Sequence, residues 1–428
     1  LETAVKNFLS NQSFQADFKS FEKNNRLWLD DFAEFMAIKE HFGNQALQKW
    51  DDKKAVARDP KILEKYRTML ADQIQYFKVT QYFFFKQWSE LKDYANQRGI
   101  KIIGDMPIYV AADSVEVWTK PELFQLDKER NPLFVAGVPA DQFSATGQLW
   151  GNPLYDWEEH KKQGYAWWIH RIEESFKIYD VLRIDHFKGF SDYWQVDGKA
   201  DIAKYGSWQP GPGYDLFKVV KEQLGDLPII AEDLGNIDEK ARKLLTDCNY
   251  PGMKILQFGF EDVSGKSLDS PHYCIPHSIV YTGTHDNDVT NGWYNSLTEQ
   301  QQQYINDYTH RRENESICQA MIRQLFATVS NTAIATMQDI LDSPASSRMN
   351  IPSTIGGNWQ WRMQKSDLTQ DKKDFLAKMT TLYQRANQEI PMIKFSTFVK
   401  NKTNKSLEQL SDKETYIQLL NYVKTLSA

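Results

Sequence analysis

Four short apolar, β-branched runs in this 428-residue chain lead into acidic residues. Ile100-Lys101-Ile102-Ile103 runs into Gly104-Asp105, and Val181-Leu182-Arg183-Ile184 into Asp185-His186. Pro228-Ile229-Ile230-Ala231 runs into Glu232-Asp233, and Ser278-Ile279-Val280-Tyr281 leads to Thr284-His285-Asp286. If these runs are parallel strands of a barrel, their C-terminal ends converge on the face where loops build an active site. Asp105, Asp185, Glu232 and Asp286 would then share one pocket. A single acidic residue at a strand end can equally cap the following helix. Four at equivalent places argue for chemistry.

Two chemistries use clustered carboxylates without a cysteine or a serine–histidine pair. Glycoside cleavage needs one nucleophilic or basic carboxylate and one protonated carboxyl that assists the leaving oxygen. A divalent metal site would take Asp, Glu and His as ligands and activate a water; His186 and His285 keep that reading open. Arg183 weighs against it. Two residues before Asp185, it lies on the same strand face. A guanidinium there orients the carboxylate and keeps it ionised, whereas it would repel a bound cation.

The elements that must position these groups are legible in outline. Met253-Lys254-Ile255-Leu256 and Ala333-Ile334-Ala335-Thr336 bring the strand-like runs to six. Loss of polar alternation marks parallel strands covered on both faces, and repeated strand-then-helix order predicts an α/β fold. Six strands leave an eight-stranded barrel two short, and the missing pair would precede Leu1. Residues 1–99 read as helix, with apolar residues at spacings of three and four, an Asp59-Pro60 start and a Gly99 stop. Residues 100–395 hold the barrel strands, with a Pro-, Gly-, Trp- and Asn-rich excursion at about 115–165 that is too long for an idle loop. Residues 396–428 read as a helical tail.

Composition narrows the function classes. Lys plus Arg number 51 against 57 Asp plus Glu, a net charge of −6, so no basic excess exists to neutralise nucleic-acid phosphates. No apolar run approaches the ~20 residues of a membrane helix. Three scattered cysteines, Cys248, Cys274 and Cys318, fit neither a zinc ribbon nor a disulfide framework and point to a reducing cytoplasm. The opening Leu1-Glu2-Thr3 has no charged n-region or cleavage site, so no signal peptide is expected. Much of the 24 Phe, 20 Tyr and 13 Trp must be core, but Trp and Tyr also offer flat apolar faces with a polar edge that suit stacking on sugars.

Longer motifs carry a resemblance. Val181-Leu182-Arg183-Ile184-Asp185-His186-Phe187-Lys188-Gly189-Phe190 resembles the nucleophile segment of the 4-α-glucanotransferases (amylomaltases, or disproportionating enzymes) of the α-amylase superfamily. Ile230-Ala231-Glu232-Asp233-Leu234-Gly235 resembles their acid/base segment, and Tyr281-Thr282-Gly283-Thr284-His285-Asp286-Asn287 the segment with the third carboxylate. Gly104-Asp105-Met106-Pro107-Ile108-Tyr109-Val110, Gly137-Val138-Pro139-Ala140-Asp141, the stretch from Phe143 to Pro153, Arg348-Met349-Asn350 and Gly356-Gly357-Asn358-Trp359 match as well. The likeness runs over residues 100–365, and the helical first hundred residues look like the family's subdomain inserted before its third strand.

The resemblance implies a (β/α)8 TIM-type barrel with an inserted helical subdomain, whose first two strands, in roughly a hundred preceding residues, are missing from this chain. It implies that Asp185 is the nucleophile, Glu232 the general acid/base and Asp286 the transition-state stabiliser of a retaining double displacement. Asp105, Tyr109, Trp150, Arg183, His186, His285 and Asn358 would bind or position sugar, with Trp150 on a loop covering the acceptor side. No cofactor or metal is implied. The expected partners are maltooligosaccharides and other α-1,4-glucans, with no nucleic acid and no membrane. The alternatives are an α-glucan hydrolase of the same superfamily, which would raise free reducing ends, and an inactive, truncated glucan-binding remnant. A metal-dependent hydrolase or isomerase would instead be inactivated by a chelator.

Overall fold

The structure, a computed structural model, describes residues 1–11, 15–140, 144–235, 237–386 and 414. The tail expected over 396–428 thus lies outside the described residues, apart from residue 414. By its internal contacts the chain forms two units. One comprises Leu1–Tyr281, Val329–Ile334 and Pro352–Gly356; the other comprises Thr282–Thr328, Ala335–Ile351 and Gly357–Ala428.

The first unit opens with helices, including Gln15–His41, Pro60–Met69 and Ala71–Asn96. Asp59 caps the second of these by accepting from the N–H groups of Lys61 and Ile62 at 3.0 and 3.1 Å, and Pro60 occupies its first turn. The apolar stripes of the two long helices meet ring to ring: Phe21 and Trp28 lie 5.6 and 5.5 Å from Phe85, and Phe18 lies 5.5 Å from Tyr82. The long helix closes where its glycine demands. Gly99 takes φ 71°, its N–H reaches Asn96 O at 2.9 Å, and the Ile100 N–H returns to Ala95 O at 3.0 Å. Trp88 Nε1 donates to Ile178 O at 2.8 Å, which fastens this helix to the end of the helix Ala166–Ile178.

Among the described residues ten strands follow: β1 Ile103–Met106, β2 Phe134–Val138, β3 Gln148–Pro153, β4 Val181–Ile184, β5 Asp192–Asp197, β6 Gly206–Pro210, β7 Ile229–Ala231, β8 Gly252–Ile255, β9 Ser278–Tyr281 and β10 Thr332–Ile334. Six are parallel, in sheets ordered β1-β4-β7 and β8-β9-β10. The Ala231 N–H bonds Pro251 O at 3.0 Å, which links β7 to the start of β8. The six strands therefore follow one another in chain order, as in a TIM-type (β/α)8 barrel. Of these, β7 and β9 are buried along their whole length, as expected of parallel strands covered on both faces, whereas β1 alternates exposed and buried residues and β10 is half-buried.

Two expectations need correction. The first strand begins three residues later than the apolar run suggested, because Ile100 is used to close the preceding helix; Asp105 thus lies within β1, opposite Arg183 of β4. The excursion is not a structureless loop. It supplies β2 and β3, which join β5 and β6 in an antiparallel sheet ordered β3-β2-β5-β6. Gly206 lets this sheet close, since a Cβ there would stand 2.5 Å from Gln195 O and 2.7 Å from the Trp194 indole.

The second unit is mainly helical, with Thr290–Ser296, Glu299–Thr309, Ile317–Ala327 and Gln370–Leu382 among its helices. Thr298 with Gln301 and Ser316 with Gln319 form capping boxes that start two of them. Buried Asp339 accepts from the Thr282 hydroxyl at 2.5 Å and the Thr290 N–H at 2.9 Å. Among the described residues, no helix is long and apolar enough to cross a membrane.

Candidate active site

In the first unit the chemistry centres on Arg183. Its position in β4 puts Asp105 across the strand pair and Asp185 two residues on, so both carboxylates lie on its side of the sheet. Nη1 meets the two oxygens of Asp105 at 2.6 and 2.7 Å and Asp185 Oδ1 at 2.9 Å, with the Arg183 side chain only 10% exposed. Burial opposes the charge on Arg183, but the Asp105 and Asp185 carboxylates outweigh it and hold the guanidinium above its ordinary value. The Arg183–Asp185 pair is the one expected from sequence spacing; the second anion on the same guanidinium, Asp105, comes from the register of β1 on β4.

Glu232 follows β7 directly. Each of its carboxylate oxygens is held by a backbone N–H, Oε2 by His186 at 2.8 Å and Oε1 by Leu234 at 2.7 Å. Its carboxyl is pushed up to about 7 by burial first and by the Asp185 charge, against the lowering pull of Arg183 and the two N–H groups. A carboxyl that exchanges its proton near neutrality can serve as acid in one step and base in the next. Asp185 is oriented by its ion pair to Arg183.

His186 takes φ 50°, the left-handed region, and this turn of the chain aims its N–H at Glu232. Burial pushes its imidazole down to about 4, so at neutral pH it is an uncharged hydrogen-bonding ring. Trp150 packs edge-on against that ring at 4.8 Å and stays 37% exposed; Tyr109, buried, lies 6.3 Å from Trp150 and stacks on Tyr155 at 5.9 Å. Trp150 belongs to β3 rather than to a loop, so a hydrogen-bonded strand carries this sugar-sized face.

The second unit carries His285, Asp286 and Asn358. Asp286 accepts at Oδ1 from Asn350 Nδ2 at 2.6 Å and at its carbonyl from Arg348 at 2.7 Å, and lies 3.4 Å from His285 Nε2. The His285 ring lies 5.0 Å from the ring of Trp359, itself 60% exposed. Asn358 accepts from the Ile351 N–H at 3.0 Å, so part of its hydrogen-bonding capacity shapes the segment around it. Arg348 and Asn350 were not among the expected site residues. Their signal was present in the Arg348-Met349-Asn350 motif, but nothing in it reveals which carboxylate the amide reaches.

Ligand-atom geometry suited to a metal occurs elsewhere. Among the described residues it is found at His170, Glu173 and Glu174 on the helix Ala166–Ile178, not at Asp105, Asp185, His186 and Glu232.

Residues 1–369 match the family model for 4-alpha-glucanotransferase. The chain is 51% identical over 395 residues to a 4-alpha-glucanotransferase of Streptococcus pneumoniae (strain TIGR4), covering 92% of this chain and 78% of that one. It is 42% identical over 388 residues to the enzyme of the same name from Clostridium butyricum, covering 90% and 79%. The structure of an amylomaltase from Streptococcus agalactiae, in complex with acarbose, superposes with a TM-score of 0.89 at 58% identity, over 90% of this chain and 78% of that one. Through sequence and fold alike, this chain belongs to the 4-alpha-glucanotransferase (amylomaltase) family of glycosyl-transferring enzymes.

Proposed function

We propose that the protein moves glucosyl and maltooligosyl segments between α-1,4-glucans by a retaining double displacement, in the cytoplasm. In the first half, the Asp185 carboxylate attacks the anomeric carbon as the glycosidic C–O bond breaks, and Glu232 gives its proton to the departing oxygen. In the second half, an acceptor hydroxyl passes its proton to Glu232 and displaces Asp185, restoring the original configuration. Asp286 takes hydrogen bonds from the donor ring as positive charge builds on it. His285, Asn358, Tyr109 and Trp150 bind sugar, and His186 and Asp105 position the reacting groups.

The observation that carries this reading is the pairing of unlike carboxyls on successive strands. Asp185 is ion-paired at 2.9 Å, and Glu232 exchanges its proton near 7. The acarbose bound in the S. agalactiae relative supports the same class of ligand here. The three cysteines, Cys248, Cys274 and Cys318, scattered and in no C-x-x-C arrangement, support a reducing compartment. Incubation with maltotriose tests the proposal. It expects glucose and longer oligomers at constant total reducing ends, and loss of turnover in folded Asp185→Asn, Glu232→Gln and Asp286→Asn variants. Rising reducing ends would make the protein a hydrolase, and near-normal turnover in any of the three variants would remove that residue from its role.

A further inference from the structure

The 3-10 turn Phe187–Phe190 after β4 contains a lysine that the sugar chemistry leaves unexplained. Glu232 is gripped from two sides. The segment after β4 supplies the His186 N–H to Oε2 and the Phe187 N–H to the Glu232 carbonyl, at 2.8 and 3.0 Å. The segment after β7 supplies the Leu234 N–H to Oε1 at 2.7 Å. Neither grip is stronger than the hold of one segment on the other, and Lys188 ties them. Its Nζ lies 3.4 Å from Asp238 Oδ2, at the far end of the β7 segment, and 3.8 Å from Asp192 Oδ1 at the start of β5. Asp238 is anchored in turn, because its Oδ1 caps the helix Glu239–Cys248 through the Ala241 N–H at 2.9 Å. The Trp208 ring centroid lies 4.4 Å from the ammonium, and the lysine side chain is only 14% exposed.

We propose that Lys188 is a positioning residue for glycosyl transfer, locking together the two segments whose N–H groups hold the Glu232 carboxylate. This rests on Glu232 being the acid/base. N–H donors stabilise the ionised carboxylate, so slackening them raises the pH at which it gives up its proton. The other charged groups around Glu232 are held by contacts that do not involve Lys188. Arg183 and Asp185 remain on the β4 side, with Asp105 of β1 held through Arg183. His186 is uncharged, and Asp233 turns away to the Met253 N–H at 2.6 Å.

The test is the pH profile of kcat/KM on maltotriose for Lys188→Met, Lys188→Arg and Asp238→Asn. Asparagine at 238 keeps an oxygen for the helix cap while removing the charge that pairs with Lys188. Lys188→Met is expected to lower kcat about tenfold with little change in KM and to move the basic limb to higher pH. Asp238→Asn should shift the limb in the same direction, and Lys188→Arg should restore it. A basic limb that stays in place in both Lys188→Met and Asp238→Asn would overturn the proposal even if kcat fell. Activity surviving in Glu232→Gln would instead overturn the acid/base assignment, separately from Lys188.

Discussion

Replacing Glu232 by glutamine should change stability in a pH-dependent way that can be worked out beforehand. The carboxyl exchanges its proton near 7 in the folded chain, against an ordinary 4.5. Between those values the folded state binds the proton and the unfolded state does not. Stability contributed by Glu232 is therefore present at low pH and lost as pH rises through 7, amounting to about 3 kcal/mol over the full window. Glu232 keeps some solvent contact, which makes that figure an upper bound. Glutamine abolishes the titration but offers one acceptor oxygen to two N–H donors, those of His186 and Leu234, at a pH-independent cost of about 1–3 kcal/mol. The variant should thus be less stable than the parent at pH 5 and comparable or more stable at pH 8. The difference between variant and parent should move by about 2–3 kcal/mol between the two. His160 and His186 titrate in both proteins and cancel. Urea unfolding of both proteins at each pH, followed by tryptophan fluorescence, measures it. A difference that stays constant from pH 5 to pH 8 would refute the burial argument for Glu232.

Two further predictions concern residues away from the carboxylates. His160 is 1% exposed among the rings of Tyr155, Trp157 and Trp167, and burial pushes it down to about 4. The unfolded imidazole takes its proton near 6.5, so the folded chain loses up to about 3 kcal/mol as pH falls from 6.5 towards 4. His160→Phe should flatten that acid limb in unfolding experiments, and an unaltered limb would count against it. Gly206→Ala would drive a methyl into Gln195 O and the Trp194 indole, costing about 1–3 kcal/mol. Calorimetry that finds an unchanged Tm would show that the sheet yields there at no cost.

The sequence was most legible where physics is local. Asp59-Pro60 and Gly99 marked helix ends because capping and left-handed backbone are properties of single residues. Val181–Ile184 and Ser278–Tyr281 were recognisable as buried strands with their observed bounds, and the two-residue spacing of Arg183 and Asp185 sufficed to foresee their ion pair. What stayed hidden depends on partners distant in sequence. The Gly- and Pro-rich excursion read as a long loop, yet Gly137 and Gly151 lie in strands β2 and β3, and β2 is paired by β5 from outside the excursion. Ile100 looked like a strand residue because apolar periodicity does not distinguish a helix closure from a strand start. The Asn350 contact to Asp286 likewise bridges 64 positions, a separation that no local pattern encodes.

The antiparallel sheet carries a consequence for how the enzyme comes into being. Its two hairpin-like halves, β2 with β3 and β5 with β6, leave the chain after different barrel strands, and β2 meets β5 across about sixty residues, as Phe134 opposite Asp197. Closing so long a span costs chain entropy that is recovered only once β1 and β4 have paired and brought the two departures together. Trp150 reaches His186 from one edge of that sheet, and Lys188 meets Trp208 at the other. The surroundings of the carboxylates are therefore assembled late, so a refolding protein should regain its helices and barrel strands before it regains turnover.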